Sequence, residues 1–146
     1  MLDAGADMTD IDALFRRRTD AFGRHDAAAL AAEYTDDAVL ISPMFPRAQG
    51  RSAIQRSYDQ LFRIFPDWAM AFEEPVVDGA RAMQECTVRA TQVGEFMGIP
   101  GTNRRVEFSC VLIFKLRDGR IAQERRIYDF TGMLIQLGVL RGKPAV

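Results

Sequence analysis

The apolar residues of this chain change period once, from helical spacing in the first third to alternation afterwards, and no other feature restricts the fold as strongly. Ile11, Leu14, Phe15 and Phe22 fall on one helical stripe, which predicts a first helix from about Asp10 to Phe22, with Thr9 and Asp12 spaced as a capping box. Asp26 suits the N-cap of a second, alanine-rich helix over residues 27–34, and residues 38–41 read as a short strand stopped near Pro43. Ile54, Tyr58, Leu61, Phe62 and Phe65 recur at helical spacing again. Pro66 ends that third helix because it lacks an N–H and clashes with the preceding turn. Helices followed by strands, rather than alternating with them, indicate an α+β fold.

From Trp68 onward Asp78-Gly79 and Asp118-Gly119 each separate strand-like runs, and Asp-Gly favours the positive φ of a hairpin turn. In the run from Arg81 to Gln92 the even positions Ala82, Gln84, Cys86, Val88, Ala90 and Gln92 share one face, with charged Arg81, Glu85 and Arg89 on the other. In the next strand Val106, Phe108, Cys110, Leu112 and Phe114 face the same way. Small inward residues beside large ones on a twisted sheet leave room for a concavity. Gln84 and Gln92 on that face must find a hydrogen-bond partner in the protein or in a ligand. Phe62, Trp68, Phe72, Gln84, Val88, Phe96, Phe108, Cys110 and Ile127 are the candidate pocket residues, with Phe45 and Met44 as further wall candidates. The chain is expected to be one domain over residues 1–146, with residues 1–8 as a candidate disordered tail.

Composition narrows the function. Lys plus Arg at 19 against Asp plus Glu at 20 gives a formal charge of −1, so no general attraction to nucleic acid or anionic lipid is expected. No apolar run approaches the roughly 20 residues that cross a bilayer, and the acidic N-terminal run does not resemble a secretory signal, so a cytoplasmic protein is expected. Cys86 and Cys110 form no CxxC pair and His25 is the only imidazole, so no metal site is expected. The two thiols read as inert core groups. His25, in a turn between helices, reads as an exposed polar residue. Arg18, beside the apolar stripe of the first helix, is expected to extend its charge to water.

Several segments, in order, carry a family resemblance: residues His25 to Leu40, Gly50-Arg51-Ser52-Ala53-Ile54, Gly94-Glu95-Phe96-Met97-Gly98-Ile99-Pro100 with Thr102 and Arg104-Arg105-Val106, Asp118-Gly119-Arg120-Ile121, Glu124 to Asp129, and Gln136-Leu137-Gly138. Over most of its length the chain resembles the SnoaL-like polyketide cyclases, or ester cyclases, of the nuclear-transport-factor-2-like superfamily. The resemblance implies an NTF2-like, cystatin-like cone: a curved, mostly antiparallel sheet with about three N-terminal helices and a short C-terminal helix around an apolar pocket. It also implies self-association and acid/base chemistry on a carbonyl compound without a cofactor. The partner expected is therefore a small hydrophobic organic substrate, with a second copy of the chain making a homodimer.

Asp129 is the leading catalytic candidate. It closes the last strand in phase with Ile121 and Ile127, which predicts an inward carboxylate whose apolar walls raise its pKa toward the range useful for proton transfer. The resemblance implies the acid/base that moves a proton beside a carbonyl and permits an intramolecular aldol closure. Capping the helix over residues 130–134 is the structural alternative. Gln92 is the second candidate, at a position where similar proteins commonly carry histidine; it can orient a substrate oxygen but cannot accept a proton near neutral pH. Tyr128 alternates away from Asp129 and is expected to pack against other elements.

Three function classes follow. The first is a cyclase or related proton-transfer enzyme. The second is another superfamily reaction, epoxide hydrolysis or isomerisation. In isomerase-like relatives the catalytic aspartate falls on Ser42 here and the first-helix tyrosine near Arg18, so that machinery is missing. The third is a non-catalytic carrier or sensor of a small ligand. Outward Thr87, Arg89, Val111 and Ile113 point to a sheet-mediated homodimer.

Overall fold

Burial of the predicted stripe makes α1. A computed structural model describes residues 8–45 and 47–145, and in it α1 spans Met8–Gly23 with Ile11, Leu14, Phe15 and Phe22 buried. Each such side chain contributes roughly 1.5–3 kcal/mol when fully buried. Thr9 already lies within the helix, so it is not the N-cap. The disordered tail expected at the N-terminus lies outside the described residues, apart from Met8, which is helical. Asp26 caps α2 (Ala27–Ala32) as expected, its carboxylate accepting from the Ala29 N–H at 3.0 Å. α3 (Arg51–Ile64) ends two residues before Pro66, and α4 is Phe130–Gln136.

The strands are β1 (Tyr34–Ile41), β2 (Ala48–Gln49), β3 (Ala69–Phe72), β4 (Val76–Asp78), β5 (Arg81–Thr91), β6 (Arg105–Arg117) and β7 (Arg120–Tyr128). They form one sheet in the order β2-β1-β7-β6-β5-β3, with β4 beside β3 on the edge of β5. Only β1 and β7 run parallel; the other pairs are antiparallel. Asp118 and Gly119, at φ 53° and 74°, make the two-residue turn between β6 and β7. That backbone twist matches the twist of the flanking strands, and glycine takes it without a Cβ clash. β1 begins at Tyr34, four residues earlier than its apolar run suggested, because Tyr34 pairs with Ile121 of β7.

Inward alternation in β5 and β6 is as expected, with Ala82, Cys86, Val88, Val106, Phe108, Cys110, Leu112 and Phe114 all buried. β7 departs from it. Lys115 pairs with Gln123 and Leu116 with Ile121, which leaves Ala122 without a partner. This bulge reverses the phase of the strand. Ile121 faces the core before it; Glu124, Arg126 and Tyr128 do so after it, and Arg125 and Ile127 turn outward.

Candidate functional site

The bulge places two charged residues under the helices. Glu124 is 0% exposed, and its carboxylate accepts from Arg18 at 3.0 Å, Tyr34 at 2.6 Å and Arg126 at 2.5 Å. Arg18 comes from α1, Tyr34 from the start of β1 and Arg126 from β7. Tyr58 of α3 completes the network: its oxygen accepts from Arg126 at 2.9 Å and lies 2.6 Å from the Tyr34 hydroxyl. Tyr34 also accepts from Arg18 at 3.2 Å. With Tyr34 donating to Glu124, Tyr58 is left to donate to Tyr34, so every hydroxyl proton has an acceptor.

Arg18 therefore does not reach water. At 1% exposure it is sealed by the rings of Phe22, Tyr34 and Phe114, because the bulge supplies a buried carboxylate for it. Burial alone pushes the Glu124 carboxyl up, but Arg126 and Arg18, with the Tyr34 hydroxyl, outweigh it and hold the group below the ordinary carboxylate range. Burial and the Glu124 charge push Tyr34 well up, so it stays a neutral donor. A carboxylate held this way is a poor base.

Beside the network lies a small, mostly apolar cavity between α1, α3 and the sheet. Phe22, Phe45, Trp68 and Phe108 supply its aromatic wall. Its polar surface is Ser42, Glu124, Arg126 and Tyr128. Its free volume is about 20 Å³, about the room of one water, so a ring-sized ligand enters only by moving flexible neighbours such as Met44 and Met70. Burial pushes the Tyr128 hydroxyl up to about 12, so it too is a neutral donor at ordinary pH. The Ser42 hydroxyl lies 3.5 Å from it, at the outer limit of a hydrogen bond. Arg126 and Tyr128 thus offer a cation and a neutral O–H side by side in an apolar space. That pair can hold a carbonyl or enolate oxygen and stabilise negative charge developing on it.

Four of the nine candidate pocket residues line this cavity: Trp68, Val88, Phe108 and Cys110. Phe62 instead stacks flat on His25, with centroids 4.4 Å apart. Phe72 and Gln84 line an open groove against α1, where the Gln84 amide donates to the Glu73 carbonyl. Phe96 packs among Phe45, Phe65 and Phe130. Ile127, 50% exposed, is on the opposite face of the sheet because of the bulge. Cys110 stands directly across from Cys86, and both thiols are buried. His25 is half-buried rather than exposed; its Nε2 meets the Trp68 carbonyl at 2.7 Å and anchors that segment.

Asp129 is exposed and caps α4, its Oδ1 accepting from the Gly132 N–H at 2.8 Å. Its other oxygen lies where a Cβ on residue 132 would be 2.3 Å away, which accounts for a glycine inside so short a helix. Gln92 is fully buried. Its amide nitrogen donates to Gly94 at 3.1 Å and reaches the Ile99 and Pro100 carbonyls at 3.4 Å, while its oxygen accepts from Thr102 at 2.8 Å. Gln92 ties down the loop over residues 94–102. Asp129 and Gln92 are thus not brought together on the cavity wall. Glu124, Arg126 and Tyr128 are, and the available signal was that neither phase of residues 120–128 is apolar.

The sequence profile of the SnoaL-like polyketide cyclases matches residues 13–137. The chain belongs to that family. No curated protein matches it at a significant level. Among solved structures it is similar to AclR from Streptomyces galilaeus, a candidate hydroxylase, at 24% identity over 94% of this chain and 91% of that one, with a TM-score of 0.79. It is also similar to IdmH from Streptomyces antibioticus, a candidate polyketide cyclase, at 28% identity over 88% and 99%, with a TM-score of 0.70. A protein from Catenulispora acidiphila described as having the ketosteroid isomerase-like fold aligns at 12% identity over 87% and 93%, with a TM-score of 0.74. The family fold is therefore the α+β, NTF2-like one expected. None of its helices among the described residues is long and apolar enough to cross a membrane.

Proposed function

We propose that the protein is an enzyme of cofactor-independent proton transfer on a hydrophobic carbonyl compound, closing a ring by intramolecular aldol addition. The observation that carries the reading is the Arg126–Tyr128 donor pair at the polar end of an otherwise apolar cavity. In this scheme a base removes a proton from the carbon beside a carbonyl, and the electron pair moves onto the carbonyl oxygen, where Arg126 and Tyr128 hold it. The enolate carbon then adds to a second carbonyl of the same molecule. The new alkoxide takes the proton back, so the product is an isomer of the substrate and no oxidant is consumed. Asp129 is the proposed base, acting from its exposed place at the start of α4 on a substrate carbon that projects out of the cavity past Tyr128, and Gln92 positions the 94–102 loop. The naming of IdmH as a candidate polyketide cyclase supports the substrate class. The protein is read as cytoplasmic, acting on a diffusible substrate.

One observation favours a non-catalytic binding protein: Glu124 is locked by its partners and Asp129 is exposed. A panel of β-keto esters, enones and terpene epoxides separates the readings when assayed on wild type, Tyr128→Phe and Asp129→Asn. Turnover of a β-keto ester that falls about 100-fold in both variants, with binding intact in Asp129→Asn and weakened but measurable in Tyr128→Phe, is the expected result. Binding without turnover in all three proteins identifies a carrier, and turnover confined to the epoxides identifies a hydrolase.

We also infer a homodimer through the outer sheet face. Met83, Ile113 and Arg125 form one row across β5, β6 and β7, and Glu85, Val111 and Ile127 form the next on that face. Met83 and Ile127 are 48% and 50% exposed. A twofold pairing covers this apolar patch and can set Glu85 of one copy against Arg125 of the other. Light scattering is expected to give twice the 16.4 kDa chain mass; a mass of one chain rejects the dimer.

A further inference from the structure

Among the described residues, two buried side-chain polar atoms have no hydrogen-bond partner: Arg18 Nε, inside the charged network, and Trp68 Nε1. The second is unusual because everything around it is fixed. The Trp68 backbone N–H donates to the Phe65 carbonyl at 3.0 Å, and its own carbonyl is held by His25 at 2.7 Å. Its ring packs against Phe65 at 5.4 Å and meets Phe108 edge-on at 6.2 Å. At 8% exposure the indole is out of reach of bulk water, and its neighbours in the cavity, Met70, Val88 and Phe108, offer no side-chain oxygen. A buried N–H without a partner is costly, and few such groups persist in folded proteins. Trp68 itself lines the cavity.

We propose that the Trp68 indole N–H is a preset ligand donor, selecting ring compounds that carry a second acceptor oxygen besides the one held by Arg126 and Tyr128. The proposal rests on the cavity being the substrate site. Phe108 stacks on Tyr128 at 4.8 Å and meets Trp68 edge-on at 6.2 Å, so both donor residues flank the same ring of the cavity wall. A compound with two acceptor oxygens can engage both. A compound with one acceptor group leaves the indole unpaired. Trp68 is thereby a specificity-determining residue, whichever reaction follows.

Trp68 is the only tryptophan in the chain, so one indole ¹H–¹⁵N signal needs no assignment and any tryptophan analogue enters at this position alone. Two matched bicyclic acids serve as probes. Chromone-2-carboxylate carries a carboxylate and, two ring positions away, a ketone; 2-naphthoate carries the carboxylate only. Both are expected to bind, and Tyr128→Phe is expected to weaken both. Only the chromone slows exchange of the indole N–H proton with water and moves its signal downfield as a new hydrogen bond does, and replacing Trp68 by 3-benzothienylalanine, which has sulfur in place of N–H, weakens the chromone about three- to tenfold while leaving naphthoate unchanged. An indole signal unmoved by the chromone, with Tyr128→Phe still weakening both probes, overturns the role of Trp68 and keeps the cavity. Failure of both probes to bind wild type overturns the cavity reading and this proposal with it.

Discussion

Strand β7 and the residue that ends it carry two carboxylates five positions apart, Glu124 and Asp129, and the fold treats them in opposite ways. Glu124 is enclosed with two guanidinium groups and a tyrosine hydroxyl, and its charge is stabilised there. Asp129 is exposed and holds the N–H of Gly132. The difference traces to one unpaired residue, Ala122, which exchanges the inner and outer faces of everything after it. Without the bulge Arg125, Ile127 and Asp129 would point toward the cavity. With it, the inward row is Glu124, Arg126 and Tyr128. The buried carboxylate is structural because it is charged and locked; a group able to exchange protons has to be sought among those less completely engaged.

The largest effect expected from this contrast is on stability. Glu124→Gln leaves Arg18 and Arg126 buried together without a countercharge, and is expected to cost about 3–5 kcal/mol, lowering the melting temperature by roughly 10 °C. The pH dependence has a definite sign. The folded pKa of Glu124 is depressed, so its contribution to stability is present above the ordinary value of 4.5 and is lost as the pH falls below it. Denaturant titrations across that range are expected to show a shallower acid decline in Glu124→Gln than in wild type. An equally steep decline in both proteins breaks the assignment of Glu124 as the charged centre of the network. Asp67, also depressed through its contacts with Thr91, accounts for part of what decline remains.

What the sequence shows and what it hides divides along the same line. The stripe of α1, the Asp26 cap, the end of α3 before Pro66 and the inward faces of β5 and β6 were all legible, because each depends on neighbours a fixed number of positions away. The class of fold and the family follow from those features and from the loop motifs. The bulge at Ala122 was not legible as a position, since no residue type marks it, and extending the phase of Ile121 through it sends Asp129 inward and Tyr128 outward. The burial of Arg18 is hidden for the same reason. Its charge is tolerable in the core only if a carboxylate arrives from a residue 106 positions later, and local spacing carries no trace of that. Gln92 was correctly placed facing inward, but its four partners come from the chain segment that follows it, which only the folded loop brings round.

The smaller effects concern Asp129, and they separate capping from catalysis. Gly132→Ala puts a methyl group 2.3 Å from the second carboxylate oxygen, so the Asp129 side chain must swing away. The lost cap costs about 1 kcal/mol, and alanine in place of glycine returns a similar amount of helix stability, so folding is expected to change by less than about 1 kcal/mol. Asp129→Asn changes even less, since asparagine caps as well as aspartate does. If Asp129 moves the proton, both variants lose turnover while melting close to wild type. The first displaces the carboxylate and the second removes its basicity. If Asp129 only caps, Asp129→Asn keeps full activity, Asp129→Ala loses about 1 kcal/mol of stability and no turnover, and the base must then be found among the groups that face the cavity.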